Sequence, residues 1–212
     1  MKVYIIRHGE TSANKMGVFQ GWTDLELNES GVFLAAETGK ALKKENIRFD
    51  VCYSSPLIRA KETARLVLEN SDNDCPVIYD ERIKEINNGD YELAKIKGAE
   101  GEFKKFVDGW MSEGFSVGRF PNGESAEDVI KRTQEFLFEL IKKDYDSVLI
   151  STHGAALRAM LNFLYEDKNY FWHTGVPYNC AVSIIESDGE DIRLLEDDKI
   201  YYDRKYVVDN YK

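Results

Sequence analysis

Two short apolar runs constrain this chain more than any other feature, because a His-Gly pair follows each of them. Residues 3–6 lead into Arg7 and His8, and residues 148–151 lead into Thr152 and His153, with a glycine after each histidine. Runs of this length that are rich in β-branched residues predict buried strands. The carboxyl ends of parallel strands meet at one edge of a sheet, where ligands bind. We therefore expect His8 and His153 to lie close together.

Amphipathic helices alternate with further strands along the rest of the chain. Apolar residues at helical spacing predict helices near 34–42, 57–67, 103–110, 125–141 and 155–165. Short β-rich runs predict strands near 51–53, 76–79, 181–186 and 192–195. This alternation predicts an α/β fold of three layers, α/β/α, around a mainly parallel central sheet. Residues 7–29 are predicted as a polar loop, and Pro56 is placed to open a helix.

Length and charge limit the domain count and the classes of partner. The chain has 212 residues, 43% of them hydrophobic, and no linker or repeat divides it. A single domain over residues 1–212 is therefore expected. The net charge of −10 argues against nucleic acid and against anionic membranes as partners. It would also repel phosphorylated ligands, unless a basic pocket attracts them locally.

The three cysteines and the three histidines are widely dispersed. Their spacing suits neither a disulfide framework nor a zinc site, so we expect free thiols in a reducing compartment and no metal. The N-terminal apolar stretch is too short for the core of a signal peptide. No run reaches the ~20 apolar residues that a membrane helix needs. These features predict a soluble cytoplasmic protein.

The residues near the two histidines suit phosphoryl transfer. A neutral imidazole such as His8 attacks phosphorus through one ring nitrogen while a hydrogen bond fixes the other. Arg7 and Arg59 offer planar guanidinium groups that match phosphate oxygens. His153 is a donor for the equatorial oxygens as charge builds on them, and Asn14 is a neutral donor from the first loop.

A proton source for the leaving oxygen completes the set, and Glu85 is the candidate. Four other carboxylates lie near it in sequence and stay open as alternatives, namely Asp80, Glu81, Glu92 and Glu102.

Five motifs that contain these residues occur in an order that resembles the histidine phosphatase superfamily, phosphoglycerate mutase-like branch. They are Arg7-His8-Gly9-Glu10-Thr11 with Asn14, Gln20-Gly21 with Asp24, Ser54-Ser55 with Arg59-Ala60, Glu85 with Gly89 and Glu92, and Gly123-Glu124-Ser125 with Ser151-Thr152-His153-Gly154. The resemblance spans residues 1–186. In two places the chain departs from the family pattern: Tyr91 replaces the usual Trp, and Leu93 stands where Gly is common.

The resemblance implies a role for each matching residue. His8 would accept the phosphoryl group, and Glu85 would act first as general acid and then as general base. Arg7, Arg59 and His153 would form the phosphate pocket. Substrate binding would further involve Asn14, Gln20 and Gly21.

This pattern predicts a phosphomonoesterase that needs no metal or cofactor and acts on a small phosphorylated metabolite through a phosphohistidine. The alternatives are a cofactor-dependent phosphoglycerate mutase and a catalytically inactive relative that binds phosphorylated ligands. The short segment 93–123 favours the phosphatase, since mutases of the family typically carry longer insertions. That segment is either a lid with cationic and aromatic contacts or a solvated basic face over a small aromatic core. Relatives also suggest a homodimer.

Overall fold

The computed structural model describes residues 1–207, apart from the side chain of Ser116. Six strands are present in this part of the chain: β1 Lys2–Arg7, β2 Val51–Ser54, β3 Val77–Tyr79, β4 Ser147–Thr152, β5 Val182–Ser187 and β6 Ile192–Lys199. The α-helices are α1 Ser12–Met16, α2 Glu29–Lys44, α3 Ile58–Asn70, α4 Gly101–Ser112, α5 Ala126–Leu140 and α6 Gly154–Leu161. Short 3-10 turns occupy Glu81–Ile83, Gly89–Tyr91, Phe115–Val117, Asn162–Leu164 and Arg204–Tyr206.

The strands form one mixed sheet in the order β3-β2-β4-β1-β5-β6. The pairings of β3 with β2, of β2 with β4 and of β4 with β1 are parallel. The pairings of β1 with β5 and of β5 with β6 are antiparallel. In the register of β1 with β4, Arg7 lies opposite Thr152. The histidines that follow these residues therefore leave the sheet at the same level.

Helices cover both faces of the sheet, which confirms the predicted three-layer α/β/α fold. Side chains of β1 alternate between the faces, as they must in a strand. Tyr4 and Ile6 pack with α2 and α3, while Val3 and Ile5 pack with α5 and α6. Because β1 is buried on both faces, its sequence is a continuous apolar run rather than an alternating one.

Helix starts follow the polar residues that precede them. Ser125 caps α5 through its side chain, and Asp128 in turn accepts a hydrogen bond from the backbone N–H of Ser125. The prediction of a loop over residues 7–29 is wrong in part. Thr11 and Asn14 form the same kind of reciprocal cap, and it starts the short helix α1. Pro56 does not open α3 but lies two residues before its first residue, Ile58.

Segment 93–123 contributes α4 and an aromatic cluster. Phe120 of this segment is fully buried, and its ring packs edge to face against four others. Phe106 and Trp110 belong to the same segment, whereas Phe19 and Tyr91 lie outside it. Its lysines lie at the surface, where Lys104 pairs with Asp108 and Lys105 pairs with Glu102. These contacts match the interpretation of a solvated basic face over an aromatic core.

Two further points concern the ends of elements and membrane spans. Helix α6 stops at Leu161, earlier than predicted, and a 3-10 turn continues it to Leu164. Among residues 1–207, no helix combines the length and the apolar character needed to cross a bilayer.

Candidate active site

The two strand-end histidines meet at the carboxyl edge of the parallel strands. The ring centres of His8 and His153 are 5.2 Å apart. The backbone N–H of His8 donates to the carbonyl of Thr152 at 2.9 Å, which continues the pairing of β1 with β4 by one residue. Both imidazoles are buried. The pattern of two strands ending in His-Gly therefore corresponds to one site.

A hydrogen bond fixes the tautomer of His8. Its Nδ1 lies 2.7 Å from the carbonyl oxygen of Gly9. A carbonyl oxygen only accepts, so Nδ1 carries the proton and Nε2 keeps its lone pair. Burial, followed by the charges of Arg59 and Arg7, holds the pKa of His8 well below its usual value of 6.5. The ring is thus neutral at physiological pH and has a free nucleophilic nitrogen.

Gly9 serves close packing at this turn. A Cβ on Gly9 would lie 2.7 Å from the carbonyl oxygen of Gly31 in α2. A side chain here would therefore push the first loop away from α2 and displace His8.

Both predicted arginines line the pocket beside His8. Arg7 donates through Nη1 to the carbonyl of Pro177. Arg59 donates to the carbonyls of Thr23 at 2.9 Å and Gly21 at 2.7 Å, while its buried Nε has no hydrogen-bond partner among the described residues. Arg59 makes no ion pair with Glu62, which binds Arg65 instead. Burial lowers the pKa of Arg59 to about 10, so it stays charged at neutral pH.

Glu85 reaches the same pocket, and the start of α6 holds its carboxylate. Its Oε1 accepts from the backbone N–H of Ala156 at 3.0 Å, and its Oε2 accepts from that of Ala155 at 3.3 Å. These are unpaired N–H groups of the first helical turn, where the helix dipole also favours negative charge. A Cβ on Gly154 would lie 3.6 Å from Arg7 Nε and 3.8 Å from Glu85 Oε2, so both groups flank this glycine.

The other carboxylates considered from the sequence lie elsewhere. Asp80 pairs with Arg82, Glu81 lies near Lys84, and Glu102 pairs with Lys105, as their ion pairs show. Glu92 accepts four hydrogen bonds, from the backbone of Trp22, Thr23 and Asn88 and from the hydroxyl of Thr23. Its role is therefore to tie the loop after Gly21 to the segment after Glu85.

The remaining predicted residues, Asn14, Gln20 and Gly21, also line the pocket. The hydroxyl of Thr11 donates to Gln20 Oε1 at 2.7 Å and also contacts Asn14 Oδ1 at 3.2 Å, so one side chain orients both amides. Gly21 has no room for a side chain, since a Cβ would lie 1.9 Å from Glu92 Oε1.

Ser55 orients His153, a role that the sequence motif did not disclose. The Oγ of Ser55 lies 2.8 Å from His153 Nε2 and accepts from the backbone N–H of Leu57 at 3.3 Å. His153 Nδ1 is buried and has no hydrogen-bond partner among the described residues. Burial, then the charge of Arg59, holds the pKa of His153 well below 6.5, so this ring is neutral as well.

Arg132 on α5 holds the backbone that carries Glu85. Its guanidinium donates to the carbonyls of Arg82, Lys84 and Glu85 at 2.7 to 2.8 Å and forms an ion pair with Glu124. Nothing in the local sequence of α5 indicates this contact, since it joins residues 47 positions apart. Glu124 belongs to the Gly-Glu-Ser motif, and the ion pair explains its presence there.

Leu93 departs from the family pattern at a cost in backbone strain. Its φ is +61°, in the left-handed region that glycine adopts readily. Tyr91, the other departure, joins the aromatic cluster, with its ring centre 4.7 Å from that of Phe103. Neither change removes a group from the pocket.

Comparison with known proteins agrees with this geometry. The sequence profile of the histidine phosphatase superfamily (branch 1) matches residues 3–197. A 2,3-bisphosphoglycerate-dependent phosphoglycerate mutase of Treponema denticola is 32% identical over 191 residues, which cover 77% of each chain.

Two solved structures of similar fold cover nearly the whole chain. Bacillus stearothermophilus YhfR superposes with a TM-score of 0.84 at 29% identity, over 94% of this chain and 97% of that one. The α-ribazole phosphatase of Shigella flexneri gives a TM-score of 0.77 at 26% identity, over 92% and 94%. The chain therefore belongs to the histidine phosphatase superfamily, a superfamily of phosphatases and mutases.

Proposed function

We propose that the protein is a phosphomonoesterase that works without a metal and passes the phosphoryl group of a small metabolite through His8 to water. One observation carries the proposal. A neutral imidazole with a free Nε2 shares a pocket with two guanidinium groups and the carboxyl group of Glu85. This is the set that phosphoryl transfer to histidine requires: a nucleophile, cations for the equatorial oxygens and a proton donor for the leaving oxygen.

The reaction has two steps in this proposal. His8 Nε2 bonds to phosphorus as the ester P–O bond breaks, and Glu85 gives its proton to the departing alkoxide. Water then attacks the phosphohistidine while Glu85 takes up a proton from it, which frees His8 and releases phosphate. Arg7, Arg59 and His153 stabilise the charge on the phosphoryl oxygens in both steps. The cationic pocket itself supplies the charge that a metal ion would supply elsewhere, and it would repel one.

The mutase alternative rests on the names of curated relatives at about one-third identity, the Treponema denticola enzyme among them. A mutase must return the phosphoryl group to a second phosphorylated substrate before water reaches it. Phosphatase names among the structural neighbours, such as the Shigella flexneri enzyme, support hydrolysis instead. The inactive alternative is disfavoured because each of the five catalytic side chains is retained.

The experiment is a comparison of His8→Ala with the parent protein in three assays. Phosphate release from phosphomonoesters should fall by about 10³-fold or more in the variant, and an acid-labile phosphohistidine should form only in the parent. Activity should be unchanged in EDTA. Exchange between 3-phosphoglycerate and 2-phosphoglycerate that outpaces phosphate release would overturn hydrolysis in favour of the mutase. Near-normal phosphate release by His8→Ala would overturn the whole scheme.

Two further expectations belong to this proposal. Segment 93–123 supplies Ile96, Trp110 and Met111 to the pocket wall, which supports a lid that contacts the substrate through apolar side chains while its lysines stay in solvent. A cytoplasmic location is supported by Cys52, Cys75 and Cys180, all of which are free thiols.

A further inference from the structure

The pocket is lined by residues beyond the phosphate-binding set, and most of these additional side chains are apolar. We propose that the alcohol half of the substrate is uncharged and largely apolar, and that it carries a hydrogen-bond donor that meets the side-chain oxygen of Asn88. This inference rests on the proposed function and specifies the substrate class for the same site.

These additional residues give the pocket apolar walls. The pocket encloses about 510 Å³, open solvent at its mouth included. Much of its lining comes from side chains without charge or polar tips, among them Val18, Phe19, Ile86, Ile96, Met111 and Val176. Such walls stabilise an apolar group by removing it from water, and they offer nothing to a charged group in return for its lost hydration.

Cations are confined to the phosphate-binding end. Among the described side chains that line the pocket, the positively charged ones are Arg7 and Arg59. The basic residues of segment 93–123 do not supply another. Lys104, Lys105 and Arg119 are exposed and paired with carboxylates, and Lys95 and Lys97 are exposed and do not line the pocket. A substrate with a carboxylate or a second phosphate would therefore bring an anion to an apolar wall without a counter-charge.

Asn88 is the exception among these additional residues, since its side chain is polar. It is 2% exposed, it lines the pocket, and its Oδ1 accepts no hydrogen bond from any described residue. Its backbone is held on both sides, since its N–H donates to Glu92 Oε1 and its carbonyl accepts from Tyr91. A buried acceptor without a donor is energetically unfavourable, because it has lost its hydrogen bond to water. A hydroxyl or N–H on the substrate would satisfy it.

Asn87 is a natural control because it differs from its neighbour in this respect. Its Oδ1 accepts from the backbone N–H of Gly89 at 2.9 Å, and it does not line the pocket. The two amides therefore share a loop and a residue type but differ in access to a ligand.

Three esters with the same primary alkoxide leaving group test the proposal: butyl phosphate, 4-hydroxybutyl phosphate and 4-phosphonooxybutanoate. They differ at the far end, which is a methyl, a hydroxymethyl or a carboxylate group. We expect kcat/KM for 4-hydroxybutyl phosphate to exceed that for butyl phosphate by about fivefold, the effect of one ordinary hydrogen bond. For 4-phosphonooxybutanoate, kcat/KM should be at least about tenfold lower than for butyl phosphate.

Asn88→Leu should abolish the preference for 4-hydroxybutyl phosphate over butyl phosphate, and Asn87→Leu should retain it. Ratios of kcat/KM do not depend on the active fraction, and Asn88→Ala provides a second variant should the leucine prevent folding. Two results would overturn the proposal: the highest kcat/KM of the three for 4-phosphonooxybutanoate, or a preference for 4-hydroxybutyl phosphate that persists in both Asn88 variants.

Binding separates this proposal from the proposed function. Calorimetry with His8→Ala measures recognition of the same three esters without turnover, and the order of affinities should be the same. If no ester is hydrolysed by the parent protein, phosphatase activity is refuted. The affinity order and its dependence on Asn88 then still decide whether the pocket recognises an uncharged donor.

Discussion

Removal of the Ser55 hydroxyl should weaken catalysis through His153. Ser55 Oγ already accepts a hydrogen bond from Leu57 N–H, so its own proton is available to His153 Nε2, 2.8 Å away. In that arrangement the proton of the neutral ring resides on Nδ1, the nitrogen without a protein partner among the described residues. An N–H there is a donor for a phosphoryl oxygen, whereas a lone pair would repel it.

The size of the effect follows from burial. His153 and Ser55 are fully buried, so Ser55→Ala leaves Nε2 without a partner and without water to replace it. An unsatisfied buried group costs about 1 to 3 kcal/mol, and the ring escapes this by moving its proton to Nε2 or by rotating. We expect kcat/KM to fall by about 5- to 150-fold, the equivalent of that range.

Ser54→Ala is the matched control. Ser54 is equally buried, but its Oγ donates to the carbonyl of Ser55 rather than to a ring. Steady-state kinetics should show a loss in the Ser55 variant alone. The ¹⁵N shifts of the His153 ring should report a proton on Nδ1 in the parent and in Ser54→Ala, and a changed tautomer ratio in Ser55→Ala. Equal kinetic losses in the two variants, or a parent ring protonated at Nε2, would refute the reasoning.

Three further predictions concern stability, backbone strain and the proton donor. The pKa values of His8 and His153 lie well below 6.5 in the folded protein, so these residues take up protons in the unfolded chain first as the pH falls. Denaturant titrations should therefore show that the free energy of unfolding falls between pH 6.5 and 5.5, by about 2 kcal/mol more in the parent than in a His8→Asn, His153→Asn double variant. Leu93→Gly should raise the free energy of unfolding by about 0.5 kcal/mol, since it relieves a φ of +61° on a half-exposed residue, whereas Leu195→Gly in β6 should lower it by about 1 kcal/mol. Glu85→Gln should lower kcat/KM, which reports the phosphorylation of His8, by about 10²- to 10⁴-fold for butyl phosphate. It should affect kcat/KM for 4-nitrophenyl phosphate far less, because nitrophenolate leaves without a proton; equal losses in kcat/KM would exclude Glu85 as the acid.

The part of the site that the sequence predicts well is the part that strands position. His8 and His153 each follow a buried strand, and a parallel register leaves no freedom about where such residues meet. The three-layer fold follows for the same reason, since apolar period and length distinguish the strands from the helices. The short helix α1 was not predicted because its five residues are too few to show a helical period of apolar side chains. The signal that could have indicated it is the spacing of Thr11 and Asn14, which form its N-terminal cap.

The part that the sequence does not predict depends on contacts between distant segments. The choice of Glu85 over Glu92 depends on the N–H groups of α6 and on the loop after Gly21, and neither is close in sequence. The hold of Arg132 on the Glu85 loop and the open acceptor of Asn88 are likewise products of packing. Local pattern assigns residues to strand ends, but only the folded chain decides which carboxylate faces the phosphate.

Burial of the histidines also explains how a chain of net charge −10 accommodates an anion site. With both imidazoles neutral, Arg7 and Arg59 are the positively charged groups among the described side chains that line the pocket. The acidic groups at the surface act across solvent, where the screening length is about 8 Å at physiological ionic strength. The buried guanidinium groups act at contact distance with much less screening. A phosphoryl group is therefore repelled weakly on approach and attracted strongly on arrival, so low salt should slow its association more than it changes its affinity.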